Sequence, residues 1–195
     1  MREFILLARR AFTKPFRLND LPGSGRIDLI ARCVTSAIFI SEALRKNVRF
    51  FVVMEGPPEP PKTIAFETSN LKRVYPDERN IASHINIALE KFRGNEEWLE
   101  TEPGIKIAKK SFERLVKEKK EETNVFYLSP KGAIVDEFRF EGDVCFIIGD
   151  HVGLDKKREF FLKRQEIPFV SLGNITYLSS QVIAILHYLL DKQGV

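Results

Sequence analysis

Cysteine is scarce in this chain: two residues in 195, Cys33 and Cys145, each set among apolar neighbours. That argues against a disulfide framework, and buried free thiols in a reducing compartment are the expectation. The three histidines, His84, His151 and His187, stand far apart. No cluster has metal-ligand spacing, so no metal is expected. No apolar run is long enough to cross a bilayer, so no membrane partner is expected either. The opening Met1-Arg2-Glu3-Phe4-Ile5-Leu6-Leu7 begins like a signal peptide, but Arg9 and Arg10 interrupt it and no small-residue cleavage site follows. It reads as a first strand, and the cytoplasm is the expected location. G-x-G-x-x-G and Walker sequences are missing, which leaves nicotinamide and nucleoside triphosphate binding without direct support. There is no internal repeat and no low-complexity tract.

What remains is a globular composition, 44% apolar and 30% charged, in a length suited to one domain. The net charge of +4 is unevenly placed. Residues 1–54 hold ten lysines and arginines against four acids, a net of +6, and the remainder carries a net of −2. A basic first third fits a surface facing a polyanion; a scattered, solvated excess is the plain alternative.

Strand and helix patterns alternate along the chain. Strands are expected at Arg2 to Leu7, Val48 to Met54, Thr63 to Glu67 (an edge strand), Ile105 to Ala108 and Asn124 to Leu128. Two more are expected at Val144 to Ile148 and Phe169 to Leu172. Helices are expected at Arg26 to Lys46, from Pro76-Asp77-Glu78-Arg79-Asn80 to about Phe92, and at Phe112 to Glu122, Asp155 to Glu166 and Ser179 to Lys192. Residues 93–104 read as a connection and Ser129-Pro130-Lys131-Gly132 as a turn. The alternation argues for an α/β fold with a mostly parallel sheet.

Two late strands end in glycine. Val144-Cys145-Phe146-Ile147-Ile148 runs into Gly149-Asp150-His151-Val152-Gly153, and Phe169-Val170-Ser171-Leu172 runs into Gly173-Asn174. Glycine at a strand's carboxyl end lets backbone approach a ligand closely. In open α/β sheets that edge is where ligands bind. Ordinary strand–helix turns also use glycine, so the pattern alone is a weak signal. A second constellation is Leu21-Pro22-Gly23-Ser24-Gly25-Arg26-Ile27-Asp28. A glycine-rich loop feeding a helix is an anion-ready geometry, and Arg26 adds a guanidinium suited to phosphate. Asp28 and Arg32, four apart, share a helix face, so a surface ion pair explains them equally well. His151 reads as a loop histidine bonded to backbone, with a general base as the alternative. Tyr127 and Tyr177 read as packing or ligand-wall residues.

Taken together, these segments resemble one family. They are Met1-Arg2-Glu3-Phe4-Ile5, Leu21-Pro22-Gly23-Ser24-Gly25-Arg26-Ile27-Asp28-Leu29, Arg32-Cys33-Val34, Pro76-Asp77-Glu78-Arg79-Asn80-Ile81-Ala82, Pro103-Gly104-Ile105 and Phe146-Ile147-Ile148-Gly149-Asp150-His151-Val152-Gly153. In that order the chain resembles the archaeal tRNA (pseudouridine-N1)-methyltransferases, the TrmY family of the SPOUT superfamily. The resemblance implies an α/β knot with a mostly parallel sheet, helices on both faces and a C-terminal trefoil, an exception to the rule against knots. It implies a single domain over 1–195, with RNA-side motifs in 1–92 and the knotted cofactor-binding half in 105–195.

The implied cofactor is S-adenosylmethionine, held by Leu128, Gly149 and the stretch Leu172, Gly173, Asn174, Ile175, Thr176 and Tyr177. The implied assembly is a homodimer, and the implied substrate is the pseudouridine at position 54 of tRNA, in the TΨC loop. Ribosomal RNA as substrate, or a cofactor-free RNA-binding domain, are the alternatives. Arg26, Arg32, Asp77, Arg79 and Asn80 match the motifs on the RNA side. Asp28 is either the acceptor of the N1 proton or the residue that orients the arginines. The chain departs from the family after its last strand: Leu178-Ser179-Ser180-Gln181-Val182 contains no cysteine. That leaves cofactor binding to backbone groups.

Overall fold

The computed structural model describes residues 1–94 and 96–195. In chain order the elements are β1 (Arg2–Ala8), α1 (Ile27–Ile38), β2 (Phe39–Ile40), β3 (Ala43–Leu44), β4 (Val48–Met54), β5 (Lys62–Glu67), α2 (Glu78–Lys91), β6 (Leu99–Glu102), β7 (Ile105–Ala108), α3 (Phe112–Glu122), β8 (Asn124–Ile134), β9 (Val144–Gly149), α4 (Lys156–Arg164), β10 (Phe169–Ser171) and α5 (Ser179–Gln193). Eight strands form one sheet in the order β10-β8-β9-β1-β4-β5-β7-β6. The first five run parallel, and β5, β7 and β6 are joined antiparallel at the other side. β1 holds the middle, with Leu7 beside both Val53 and Gly149.

A strand covered on both faces must be apolar at every position. β1 meets that demand from Phe4 to Ala8, and β9 from Val144 to Ile148. On one face Phe4, Leu6, Phe146 and Ile148 pack against α1, α2 and α5. On the other Ile5, Leu7, Cys145 and Ile147 pack against α3 and α4. The aromatic content concentrates on the first face, where Phe126 and Phe140 meet edge to face with ring centroids 5.1 Å apart and both contact Phe146. Both cysteines are buried and unpaired. Burial lifts the Cys33 thiol to about 12 and also lifts the Cys145 thiol well above its ordinary value, so both stay protonated and inert.

The structure corrects four boundaries. The helix expected over Arg26 to Lys46 stops at Ile38, and the chain folds back as the β2–β3 hairpin, with Glu42 and Asn47 at positive φ. Packing rather than pattern ends it: α1 is sandwiched by the sheet, α2 and α5 only along its first three turns. β5 is not an edge strand, because β7 covers its free side. The true edge is β6, inside the stretch read as a connection. There Thr101 is buried, and the turn to β7 at Gly104 (φ 76°) is so tight that a Cβ would lie 2.7 Å from the Glu67 carbonyl oxygen. The turn expected at Ser129 to Gly132 lies within β8, where pairing with β10 jumps from Tyr127 to Ala133.

Candidate functional site

The middle of β8 and the carboxyl ends of β9 and β10 open into a cleft of about 220 Å³. Its walls are Tyr127, Leu128, Ile148, Val170, Leu172, Ile175, Tyr177 and Val182, with Gly149, Gly153 and Gly173 where backbone comes closest. Seven of the eight expected cofactor residues line it: Leu128, Gly149, Leu172, Gly173, Ile175, Thr176 and Tyr177. Asn174 lies in the same loop but does not reach the cleft. Asp150 is the one formally charged residue in the wall.

The loop after β9 is held to that cleft by local bonds. The Asp150 carboxylate accepts the backbone N–H of Val152 at 2.8 Å and that of Arg9 at 3.0 Å. The Ser179 hydroxyl, at the start of α5, donates to the Gly149 carbonyl at 2.8 Å. A Cβ at Gly149 would sit 2.7 Å from the Gly153 Cα, closer than backbone tolerates. Glycine is therefore required there by the fold of the loop as well as by any ligand. Ser179 and Val182 are wall residues that the sequence did not assign to the cofactor, whereas Ile148, Asp150 and Gly153 belong to the glycine-ended strand and loop it marked as a ligand-binding edge.

A second cavity of about 330 Å³ adjoins the first. Arg26, Leu29 and Arg32 from α1 and its start face Asp150 and His151, and residues 176–180 close it. Asp150, Thr176, Tyr177 and Ser179 line both cavities and form the partition between them. Asp28 lines neither. Its buried carboxylate takes Arg26 Nε and Nη2 at 3.0 Å each and Arg32 Nη2 at 2.7 Å. Arg32 also reaches Glu78 of α2 at 3.0 Å. Burial pulls the Asp28 carboxyl upward, but hydrogen bonds from Arg26 and Arg32, then their charges, more than offset it and leave it below the ordinary carboxylate range. The same hydrogen bond to Asp28 lifts Arg26.

The anion-ready loop is only partly so. The N–H groups of Gly23, Ser24, Arg26 and Ile27 already bond to Asp20, Pro22 and Leu21. Arg26 itself sits at φ 68°, in the left-handed region. That unusual backbone turns its side chain over the cavity mouth toward Asp28. Any anion binding here therefore falls to guanidinium groups rather than to loop backbone. Asp77 and Asn80 are also occupied: Asp77 accepts the Asn80 N–H and caps α2, and the Asn80 side chain accepts the Tyr75 N–H. Arg79 is exposed, and among the described residues it has no ion-pair partner. Asp77, Arg79 and Asn80 lie outside both cavities. His151 departs from its expected backbone role: its ring makes no hydrogen bond among the described residues, and Asp150 Oδ2 lies 3.9 Å from Nδ1.

Two further observations bound the chemistry. No group of three histidine, cysteine, aspartate or glutamate residues among those described could hold a metal ion. Among the described residues no helix is long and apolar enough to cross a membrane.

Known proteins align with the whole chain. It is 42% identical to the tRNA (pseudouridine(54)-N(1))-methyltransferase of Methanocaldococcus jannaschii, covering all of this chain and 98% of that one. It is 43% identical to the protein of the same name from Thermococcus gammatolerans, with 98% of each covered. In fold it is similar to Archaeoglobus fulgidus Nep1, solved bound to S-adenosylhomocysteine, with a TM-score of 0.65 at 15% identity over 99% of this chain and 98% of that one. Residues 1–195 match the family model described as "Putative SAM-dependent RNA methyltransferase". Two unlike cavities meeting at the strand ends, together with full-length relatives, place the chain in this family of S-adenosylmethionine-dependent RNA methyltransferases.

Proposed function

We propose that the protein methylates N1 of pseudouridine 54 in tRNA, using S-adenosylmethionine, as the names of its relatives specify. The observation that carries the reading is the junction of an apolar cleft with an arginine-lined cavity across Asp150, Thr176, Tyr177 and Ser179. The cleft suits this cofactor. Its walls are flat and apolar enough for a purine, and backbone of the glycine-ended loops can meet the purine edge. Asp150 as its only formal charge does not repel a sulfonium cation.

When bound, that cofactor supplies an electrophilic methyl group and leaves as a neutral thioether. The protein need not stabilise a departing anion, so positioning dominates. Pseudouridine exposes an N1–H that uridine lacks, and this proton must be lost as the N–C bond forms. Arg26 and Arg32 hold phosphate or the target nucleotide at the cavity mouth, and Arg79 extends the contact. Of the two roles open to Asp28, the closed ion triad favours orientation: both carboxylate oxygens are committed to guanidinium groups. Asp77 and Asn80 serve the RNA side by fixing the start of α2, which carries Arg79 and Glu78.

The proposal treats 1–195 as one domain, since β1 of the basic half pairs with β9 of the cofactor half. The trefoil belongs to it as well. α4 and α5 pack on opposite faces, so the chain after β10 changes sides beside the extended part of β8. Cytoplasmic location is part of the same reading. Methylation assays on tRNA transcripts carrying uridine or pseudouridine at position 54, read by nucleoside mass spectrometry, test the reaction. N1-methylpseudouridine is expected only from the second transcript. Transfer to ribosomal fragments alone, or none with cofactor bound, overturns the substrate or the activity.

The same reading makes the enzyme a homodimer joined through the C-terminal half. Leu178 and Tyr188 are 65% and 61% exposed on and before α5, more apolar surface than a single chain uses. Sedimentation at micromolar concentration is expected to give a dimer, and Tyr188→Glu a monomer. A monomeric native chain removes this part of the proposal.

A further inference from the structure

We infer that His151 accepts the N1 proton during methyl transfer. The inference rests on the reaction proposed above and adds a residue to it. The groups able to take a proton around the second cavity are few. Asp28 is sealed behind Arg26 and Arg32 and does not line the space. Each Asp150 oxygen already accepts a backbone N–H. Burial, then Glu159, pushes the Tyr127 phenol up to about 12, and it lines the other cleft. Arg26 and Arg32 are cations without a free lone pair. His151 is left, exposed in the cavity wall with an unbonded ring.

Its neighbours suit the task. Asp150 Oδ2 lies 3.9 Å from His151 Nδ1, close enough to favour the imidazolium that forms without binding the ring in advance. Arg26 and Arg32 on α1 oppose the same cavity from the other side, and Tyr177 closes it from the segment before α5. Imidazole is a common general base, and either ring nitrogen of a neutral histidine can supply the lone pair. The step balances. The N1 lone pair forms the N–C bond, the S–C electron pair stays on sulfur, and the N1–H proton passes to an imidazole nitrogen and then to water.

The sequence left this role as the lesser alternative because a loop histidine usually bonds backbone. The structure removes that explanation and sets the ring one residue from the partition between the two cavities.

Single-turnover methylation of pseudouridine-containing tRNA by His151→Gln and His151→Ala tests the assignment, beside tRNA binding and cofactor titration. His151→Gln should keep tRNA and cofactor affinity and lose about 100-fold in rate at neutral pH, within the usual range for general base catalysis. The native rate should fall as pH drops from about 8 to about 5, and this limb should vanish in the variant. Added imidazole should restore part of the rate of His151→Ala. Buried His187 is held neutral down to about 4, mainly by desolvation, so circular dichroism should follow the acid end of the series to separate unfolding from titration.

A variant with native rate and native acid limb overturns the inference. So does a rate loss that tracks weaker tRNA binding without imidazole rescue. If the native protein makes no N1-methylpseudouridine, it is the proposed function that fails, not the assignment of His151.

Discussion

Gly149→Val should lower S-adenosylmethionine affinity by about 100-fold, equivalent to ~3 kcal/mol of overpacking at a site with no slack. Even a Cβ at this position would lie 2.7 Å from Gly153 Cα and 3.1 Å from its carbonyl carbon. Valine therefore forces the 150–154 loop away from β9. Asp150 moves with it and leaves the cleft wall, and the Ser179 bond to the Gly149 carbonyl is disturbed. Calorimetry measures the affinity, and circular dichroism checks that the sheet survives. Because valine strains the loop itself, Ile175→Lys is the companion. Ile175 is 64% exposed yet lines the cleft, so the fold should be indifferent to it. An ammonium there opposes a sulfonium ligand, and affinity should fall about tenfold. Normal cofactor binding by both variants would place the site elsewhere.

The cleft was legible because it rests on residues that few others can replace. Gly149 and Gly173 end apolar strands, and those patterns survive any detail of packing. Gly173 sits at φ 98°, where a side chain is strained, so its identity carried real information. Asn174 stands apart from the rest of the stretch Leu172 to Tyr177, because it does not line the cleft that its neighbours form. The arginine side was half legible. The four-residue spacing of Asp28 and Arg32 gave their contact, because helix geometry alone sets it. Glu78 joining Arg32 depended on how α2 packs against α1, which no local pattern encodes.

The sequence marked the loop that carries Asp150 and His151, but their meeting with Arg26 and Arg32 was out of reach for the same reason. Their place in the second cavity comes from the approach of α1 to the end of β9, residues far apart in the chain. The length of α1 failed differently. Its apolar residues run past Ile38 into Phe39 and Ile40, but there the chain turns into a hairpin in which Phe39 is half-buried and Ile40 exposed. β6 was hidden by its polar character, as befits an edge strand with Glu100 facing water.

Arg26→Ala should weaken tRNA binding about tenfold and flatten its salt dependence by about 0.7 to 0.9 in the slope of log affinity against log salt, the loss of one neutralised phosphate. Filter binding across a salt series measures both. Asp28→Asn probes the other half of the triad. The carboxyl is held below its ordinary range against its burial, so its contribution to stability is present at neutral pH and is lost only as pH falls below the normal carboxylate range. At neutral pH the variant should stay folded, because Arg26 and Arg32 are 38% and 39% exposed and water takes over their solvation. What it loses is direction. Without the carboxylate the Arg26 side chain has no fixed aim, and the single-turnover rate should fall about tenfold.

The double variant decides between orientation and proton transfer. If Asp28 acts by aiming Arg26, then Asp28→Asn adds little once Arg26 is alanine, and the cycle shows strong coupling. The acid limb of the rate profile should also persist in Asp28→Asn, since another group takes the proton. Rate losses that multiply in the double variant, with the acid limb gone from Asp28→Asn alone, would instead make Asp28 the base and remove that task from His151.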